Sequence, residues 1–238
     1  MKKEGKLTIH KIFWYFVLLS IAGLVIETIF CYVTTGGILE SRKGLIWGPL
    51  CPVYGISATI LIIFLNRYQN KNILQLFIYG FIVGSIAEYV LSYILEAIYG
   101  MRFWDYGYAK LNINGRICLQ YSTYWGILSV LIMKLVKPVL DKVINKIPCK
   151  IRNAIEIILF IFLSADCIFT VWGIQTYQNR VVYGIINQKE TNNVFIQIQQ
   201  NIENQYFTNE RMSEIFPNLR IKDEKGNEIW IKTLIHEE

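Results

Sequence analysis

Four carboxylates lie inside long apolar stretches of this sequence: Glu27, Glu88, Glu96 and Asp166. A charged carboxylate in hydrocarbon is costly unless it faces protein, water or a partner, so each of the four is a candidate for a polar pathway or a substrate site. Glu88, Ser92 and Glu96 are spaced i, i+4 and i+8, which places them along one face of a helix. Glu27 and Glu96 lie toward the outer interface, where solvation or pairing with Arg42, Lys43, Arg102 or Arg116 is the plainer alternative. Glu88 lies deeper, in a polar pathway or an ordinary buried contact. Asp166 has no basic residue within its own stretch, which leaves it neutral, wet or paired across helices.

A second group is the run Trp47-Gly48-Pro49-Leu50-Cys51-Pro52-Val53-Tyr54-Gly55. Its two prolines and two glycines interrupt a regular helix, and irregular backbone at membrane depth survives only when buried in protein or lining a wet cavity. Pro49, Cys51, Pro52 and Tyr54 are therefore pathway candidates, with a plain loop that starts a helix at Val53 as the alternative. A third group is Trp104-Asp105-Tyr106, followed by Asn112, Asn114, Gly115 and Arg116. Asp105 and Arg116 would stand at the mouth of a pocket, although an interfacial belt also uses Trp and Tyr.

What must position these groups is a set of membrane helices. The 238 residues are 53% hydrophobic and 18% charged, with a formal net charge of +6. This is too apolar for an ordinary soluble domain. The apolar residues gather into five stretches, Ile12 to Val33, Leu45 to Leu65, Ile73 to Tyr99, Ile117 to Val136 and Ile155 to Ile174. At about 1.5 Å per residue each can cross a core of roughly 30 Å. The fold expected is an all-α polytopic membrane protein of about five transmembrane helices over residues 1–175, with a small α+β appendage over residues 176–238. Gly80 and Gly84 in the third stretch have the spacing that lets another helix approach closely.

Basic residues then set the orientation. With the N-terminus inside, twelve Lys and Arg fall in the inner segments, including Lys2, Lys3, Lys6 and Lys11, against five in the outer loops. That predicts a multi-pass protein of the cytoplasmic membrane with its N-terminus in the cytoplasm and its tail outside. On the inner side, Val139, Leu140, Val143, Ile144 and Ile147 recur at helical spacing, with Lys137, Lys142 and Lys146 on the other face, and Pro148 ends the run. This reads as a surface helix lying in headgroups or docking a cytoplasmic partner. In the tail, a helix is expected from about Asn192 to Tyr206, and a second is capped by Thr208. Alternation on either side of Lys225-Gly226-Asn227 predicts a β-hairpin.

The only histidines, His10 and His236, lie outside the apolar stretches, which disfavours metal sites and histidine-based nucleophile pairs within the bundle. No P-loop is present. The cysteines Cys31, Cys51, Cys118, Cys149 and Cys167 show no Cys-x-x-Cys spacing. An enzyme is the less favoured reading, and no cofactor is expected.

The motifs GLVIETIFC at Gly23 to Cys31, Arg42-Lys43-Gly44, GPLCPVYG at Gly48 to Gly55, Ala87-Glu88-Tyr89 with Glu96, WDY at Trp104 to Tyr106, and Asn112 to Leu119, taken in order, resemble those of the type IV, CmpB-like family of ABC-transporter permeases. The resemblance covers roughly Phe13 to Ile147, and Arg42-Lys43-Gly44 departs by one residue from the usual Arg-Gly. It implies a permease subunit that moves a substrate across the membrane with a separate P-loop ATPase. Membrane lipids and that ATPase are the partners expected, and no nucleic acid is. Two further readings are a membrane enzyme or lipid-handling protein, with Glu88 or Glu96 as a base and Arg116 on an anionic headgroup, and an accessory or sensory protein whose tail binds a ligand.

Overall fold

The computed structural model describes residues 7–183, 194–222 and 228–237. Lys2, Lys3, Lys6, Asn192 and the expected hairpin turn at residues 225–227 lie outside them. The chain is mostly helical: α1 (Ile9–Thr34), α2 (Pro52–Leu65), α3 (Ile73–Tyr99), α4 (Leu119–Leu131), α5 (Lys137–Asn145), α6 (Cys149–Tyr183), α7 (Val194–Tyr206) and α8 (Asn209–Ile215). Two short antiparallel pairs accompany them, β1 (Asn112–Ile113) with β2 (Ile117–Cys118) and β3 (Arg220–Lys222) with β4 (Glu228–Trp230).

Among the described residues, three helical segments, Ile9–Thr34, Ile73–Tyr99 and Lys150–Val182, are long and apolar enough to cross a membrane, where five stretches were expected. The second stretch is not one helix. Residues 45–51 are irregular, and α2 begins only at Pro52, whose missing N–H costs nothing at the first helical position. Its 14 residues span about 21 Å. The fourth stretch opens as strand β2, continues as the 13 residues of α4, and passes through a π-turn at Ile132–Val136 into α5.

Local chemistry sets the helix ends. Thr8 caps α1 through Lys11 N–H, and Asn72 caps α3 through Gln75 N–H. Gly100 closes α3 in the left-handed conformation, with φ of 66°. Close packing follows from small residues: a Cβ at Gly84 would run into the Trp125 ring of α4, and one at Gly80 into Ser129. Gly23 and Gly55 bring α1 and α2 together in the same way, against Tyr54 and Ser20. The outward stripe of α3, Ile78, Ile82, Ile86, Val90, Ile94 and Ile98, is exposed at every fourth residue, as a lipid-facing side requires.

The helices run between two ends of the molecule. At one end, the start of α1 meets α5 and the start of α6. The Asp141 carboxylate accepts hydrogen bonds from Lys11 (2.8 Å), Lys137 (2.8 Å) and the Tyr15 hydroxyl (2.5 Å), and Glu156 joins His10 (2.5 Å) and Trp14 (2.8 Å). Lys137, expected on the wet face of α5, is buried because it reaches Asp141. Leu140 and Ile144 point into the core, leaving Val139 and Val143 exposed beside Lys142 and Lys146.

At the other end lie residues 35–51, residues 100–118 and the tail. Ile46, Met101, Ile174, Tyr177, Phe207, Met212, Phe216, Leu219 and Ile231 form one apolar cluster there, drawn from both loops, α6 and the tail. Thr208 caps α8 by accepting from Arg211 N–H, and β3 with β4 supplies the expected hairpin strands.

Burial raises the Asp141 carboxyl, but the hydrogen bonds from Lys11, Lys137 and Tyr15 outweigh it and hold it below the ordinary carboxylate value. Its stabilising contribution is therefore present above the ordinary carboxylate range and fades as pH falls through the lowered value. Asp141→Asn, which strands the buried Lys137, is expected to cost about 3 kcal/mol near neutral pH. In detergent melts, the gap to wild type should narrow below about pH 4; a gap that does not change with pH would contradict the assignment.

Candidate functional site

The loop-rich end encloses a cavity of about 610 Å³. Its inner wall is built by α1, α2, α3 and α4, which supply Glu27, Tyr54, Ser57, Glu88, Tyr121 and Trp125. Residues 40–45, 103–106 and Tyr108 form its sides, and tail residues including Phe216, Arg220, Trp230 and Lys232 form its roof. Of the residues singled out from sequence, Glu27, Cys51, Pro52, Tyr54, Glu88 and Asp105 line this cavity. Pro49, Glu96, Arg116 and Asp166 do not.

Glu88 is buried on α3 and accepts two hydrogen bonds, from the Tyr106 hydroxyl (2.8 Å) and from Trp125 Nε1 (3.0 Å). Tyr106 comes from the loop after α3, and its ring stacks on Tyr121 at 4.3 Å. Burial, reinforced by the Glu88 charge, holds the Tyr106 phenol far above its ordinary value, so it remains a donor at any physiological pH. Glu27 on α1 accepts from the Tyr54 hydroxyl (2.7 Å) and from the Cys31 thiol (3.3 Å). Among the described residues, no basic side chain stands within ion-pair distance of Glu27 or Glu88.

Glu96 belongs to a separate charged cluster beside the cavity. It joins Arg102 (3.0 Å) and Arg116 (2.5 Å), and Arg116 also donates to Ser92 (3.1 Å) while lying over the Tyr89 and Tyr93 rings. The face of Glu88, Ser92 and Glu96 is thus one helix face whose outer two members bind Arg116. Asp105 pairs with Arg102 and accepts from Gly107 N–H. Burial lowers the Arg102 guanidinium, but Asp105 and Glu96 more than reverse this and hold it above its ordinary value. The loop closes through the left-handed pair Asn114 (φ 54°) and Gly115 (φ 68°), and a Cβ on Gly115 would strike the Asp105 carboxylate.

Asp166 finds its partners in backbone. It accepts from the N–H groups of Trp47 (3.2 Å) and Gly48 (2.7 Å), while Thr170 next to it holds Ile46 N–H (3.1 Å). The irregular segment ahead of α2 is therefore tied to α6, and Pro49 sits on its exposed side. Cys31, Cys51, Cys118 and Cys167 are free thiols.

Sequence reasoning missed Tyr106 as the Glu88 donor, and it missed Trp125, Tyr121 and the tail roof. Asn114-Gly115 was the one local signal for the β1–β2 hairpin that shapes the loop carrying Tyr106. The roof is held by reciprocal backbone hydrogen bonds of 3.0 Å between Arg102 and Arg220 and by Lys232 on Glu40 (3.1 Å).

Three helices long and apolar enough to cross a membrane, with an aromatic-walled, acid-lined cavity at one end, fit a helical membrane protein. The chain belongs to the family described as "Putative ABC-transporter type IV", whose model matches residues 14–171, from α1 through most of α6. No curated protein and no solved structure matches it.

Glu88→Leu leaves two buried donors unpaired and is expected to destabilise by about 2–5 kcal/mol, whereas Tyr106→Phe costs roughly 1 kcal/mol. Chemical or thermal denaturation of both variants and their double should show coupling of about 1 kcal/mol. Strict additivity would mean that the Tyr106 to Glu88 bond carries no weight.

Proposed function

We propose that this chain is the membrane-embedded subunit of an ATP-driven transporter, and that the cavity at its loop-rich end is the outward-facing substrate pathway. The observation that carries this reading is the cavity wall itself. Two carboxylates, Glu27 and Glu88, face it from membrane-capable helices and are satisfied only by neutral donors, so each retains its charge-binding capacity for a passing ligand. The family assignment supports the same reading, and the missing P-loop fits a subunit that borrows its ATPase.

In this reading all five apolar stretches take part in the membrane domain, with α2 and α4 as the shorter members beside the three long helices. The N-terminus and α5 face the cytoplasm, in keeping with the basic residues on that side. The exposed Val139 and Val143, flanked by Lys142 and Lys146, then form the docking surface for the ATPase. For the enzyme alternative, Glu96 and Arg116 are bound to each other, which leaves Glu88 as its candidate base. The accessory alternative draws on the tail roof, since a ligand held there would touch Phe216 and Trp230.

Affinity purification from native membranes in mild detergent is expected to recover a stoichiometric P-loop ATPase, and the pair Val139→Glu with Val143→Glu is expected to reduce that recovery roughly tenfold. Repeated recovery of the intact chain with lipid and no ATPase would count against the transporter reading.

A further inference from the structure

Two buried polar atoms of the cavity lining have no hydrogen-bond partner among the described residues, and a lining carboxylate has only neutral donors there. The Ser57 hydroxyl is fully buried with no hydrogen-bond partner. Arg42, whose side chain is 10% exposed, uses one terminal nitrogen on Glu40 (3.1 Å), while its buried Nε has no partner. Glu27 accepts only from a phenol and a thiol. Buried polar atoms without partners are uncommon, and each calls for a reason.

These groups line one cavity, and Arg42 and Glu27 form no ion pair with each other. Ser57 stands one helical turn beyond Tyr54, the residue that holds Glu27. The lining of this cavity therefore includes an acid, a guanidinium edge and a hydroxyl together with the rings of Tyr54, Tyr121 and Trp125. A purely anionic ligand would face Glu27 and Glu88, and a purely cationic one would leave Arg42 Nε without an acceptor, since Glu40 holds only a terminal nitrogen of that guanidinium. Of the other cations at the rim, Lys232 shares Glu40 with Arg42, Arg220 lies over Trp230 at 4.0 Å, and Lys43 is exposed.

We infer that the cavity binds a zwitterionic ligand with an apolar body, its ammonium group on Glu27, its anionic group on Arg42 and Ser57, and its body among the rings of Tyr54, Tyr121 and Trp125. The inference rests on the reading of this cavity as a ligand pathway and names the class of ligand. Two sources carry this chemistry: an aminophospholipid headgroup and a free apolar amino acid. Charge-assisted hydrogen bonds at both poles supply orientation, and the aromatic faces add cation–π attraction for the ammonium.

The test is calorimetric titration of the purified full chain in detergent, which needs neither ATPase nor transport. Dihexanoyl-phosphatidylethanolamine and L-leucine are the zwitterionic probes. Dihexanoyl-phosphatidylglycerol and 4-methylpentanoate are their counterparts without the ammonium. Saturable binding of the first probe assigns the lipid source, and binding of the second assigns the free one. For whichever probe binds, Glu27→Gln and Arg42→Gln should weaken it on the order of tenfold to a hundredfold. Arg42→Lys should lose less, and Lys71→Gln at the opposite end should match wild type. An unchanged size-exclusion profile separates these effects from misfolding. No saturable binding of either zwitterion, equal binding of a counterpart, or wild-type binding by both Glu27→Gln and Arg42→Gln would overturn the inference. Binding that persists in a chain that recruits no ATPase would instead overturn only the transporter reading.

Discussion

A carboxylate buried in an apolar helix has to be satisfied by the protein around it, and much of this structure follows from how Glu88 meets that demand. Its two donors come from separate elements, Trp125 on α4 and Tyr106 on the loop after α3. Trp125 can reach it only because Gly84 lets α4 approach α3 closely. Tyr106 can reach it only because the loop is pinned by Asp105 on Arg102 and turned by Asn114-Gly115. Asp166 applies the same rule to backbone, holding the amides of Trp47 and Gly48 so that an irregular segment can stand against α6.

The two ends of the molecule use charge differently. At the α5 end, Asp141 is ringed by Lys11 and Lys137, a neutralised arrangement suited to holding helices together. Around the cavity some charges are paired and others are not. Glu96, Asp105, Arg102 and Arg116 pair off, with Asp105 on the cavity lining, and Glu40 there holds Arg42 and Lys232, while among the described residues Glu27 and Glu88 receive only neutral hydrogen bonds. Segregation of this kind fits a structural cluster supporting an adjacent binding surface. The tail adds a roof through the Arg102 to Arg220 backbone pair and Lys232 on Glu40, so part of the cavity lining comes from residues outside the stretch the family model covers.

Much of this was legible in the sequence, for identifiable reasons. The helix face of Glu88, Ser92 and Glu96, the small-residue stripe of Gly80 and Gly84, the Thr208 cap and the hairpin strands all depend on local periodicity or local chemistry. Helix length does not confirm the five-stretch count, because hydropathy is blind to backbone: Pro49 and Pro52 delay α2 until a 14-residue helix remains, and the apolar run at Ile117 opens as a strand. Lys137 was misplaced because its partner, Asp141, has its own partners on α1. Tyr106, Trp125 and the roof were out of reach, since they depend on the register between elements far apart in the chain, which no local pattern records.

The central claim is that the cavity opens to the outside of the cell while α5 faces the cytoplasm. Labelling single cysteines with a membrane-impermeant maleimide, in a background whose native cysteines are replaced, tests it most directly. Tyr108→Cys, on an exposed residue of the cavity loop, should react in intact cells, whereas Lys71→Cys, exposed at the other end, should react only after permeabilisation. The reverse pattern would place the cavity on the cytoplasmic side and contradict the account.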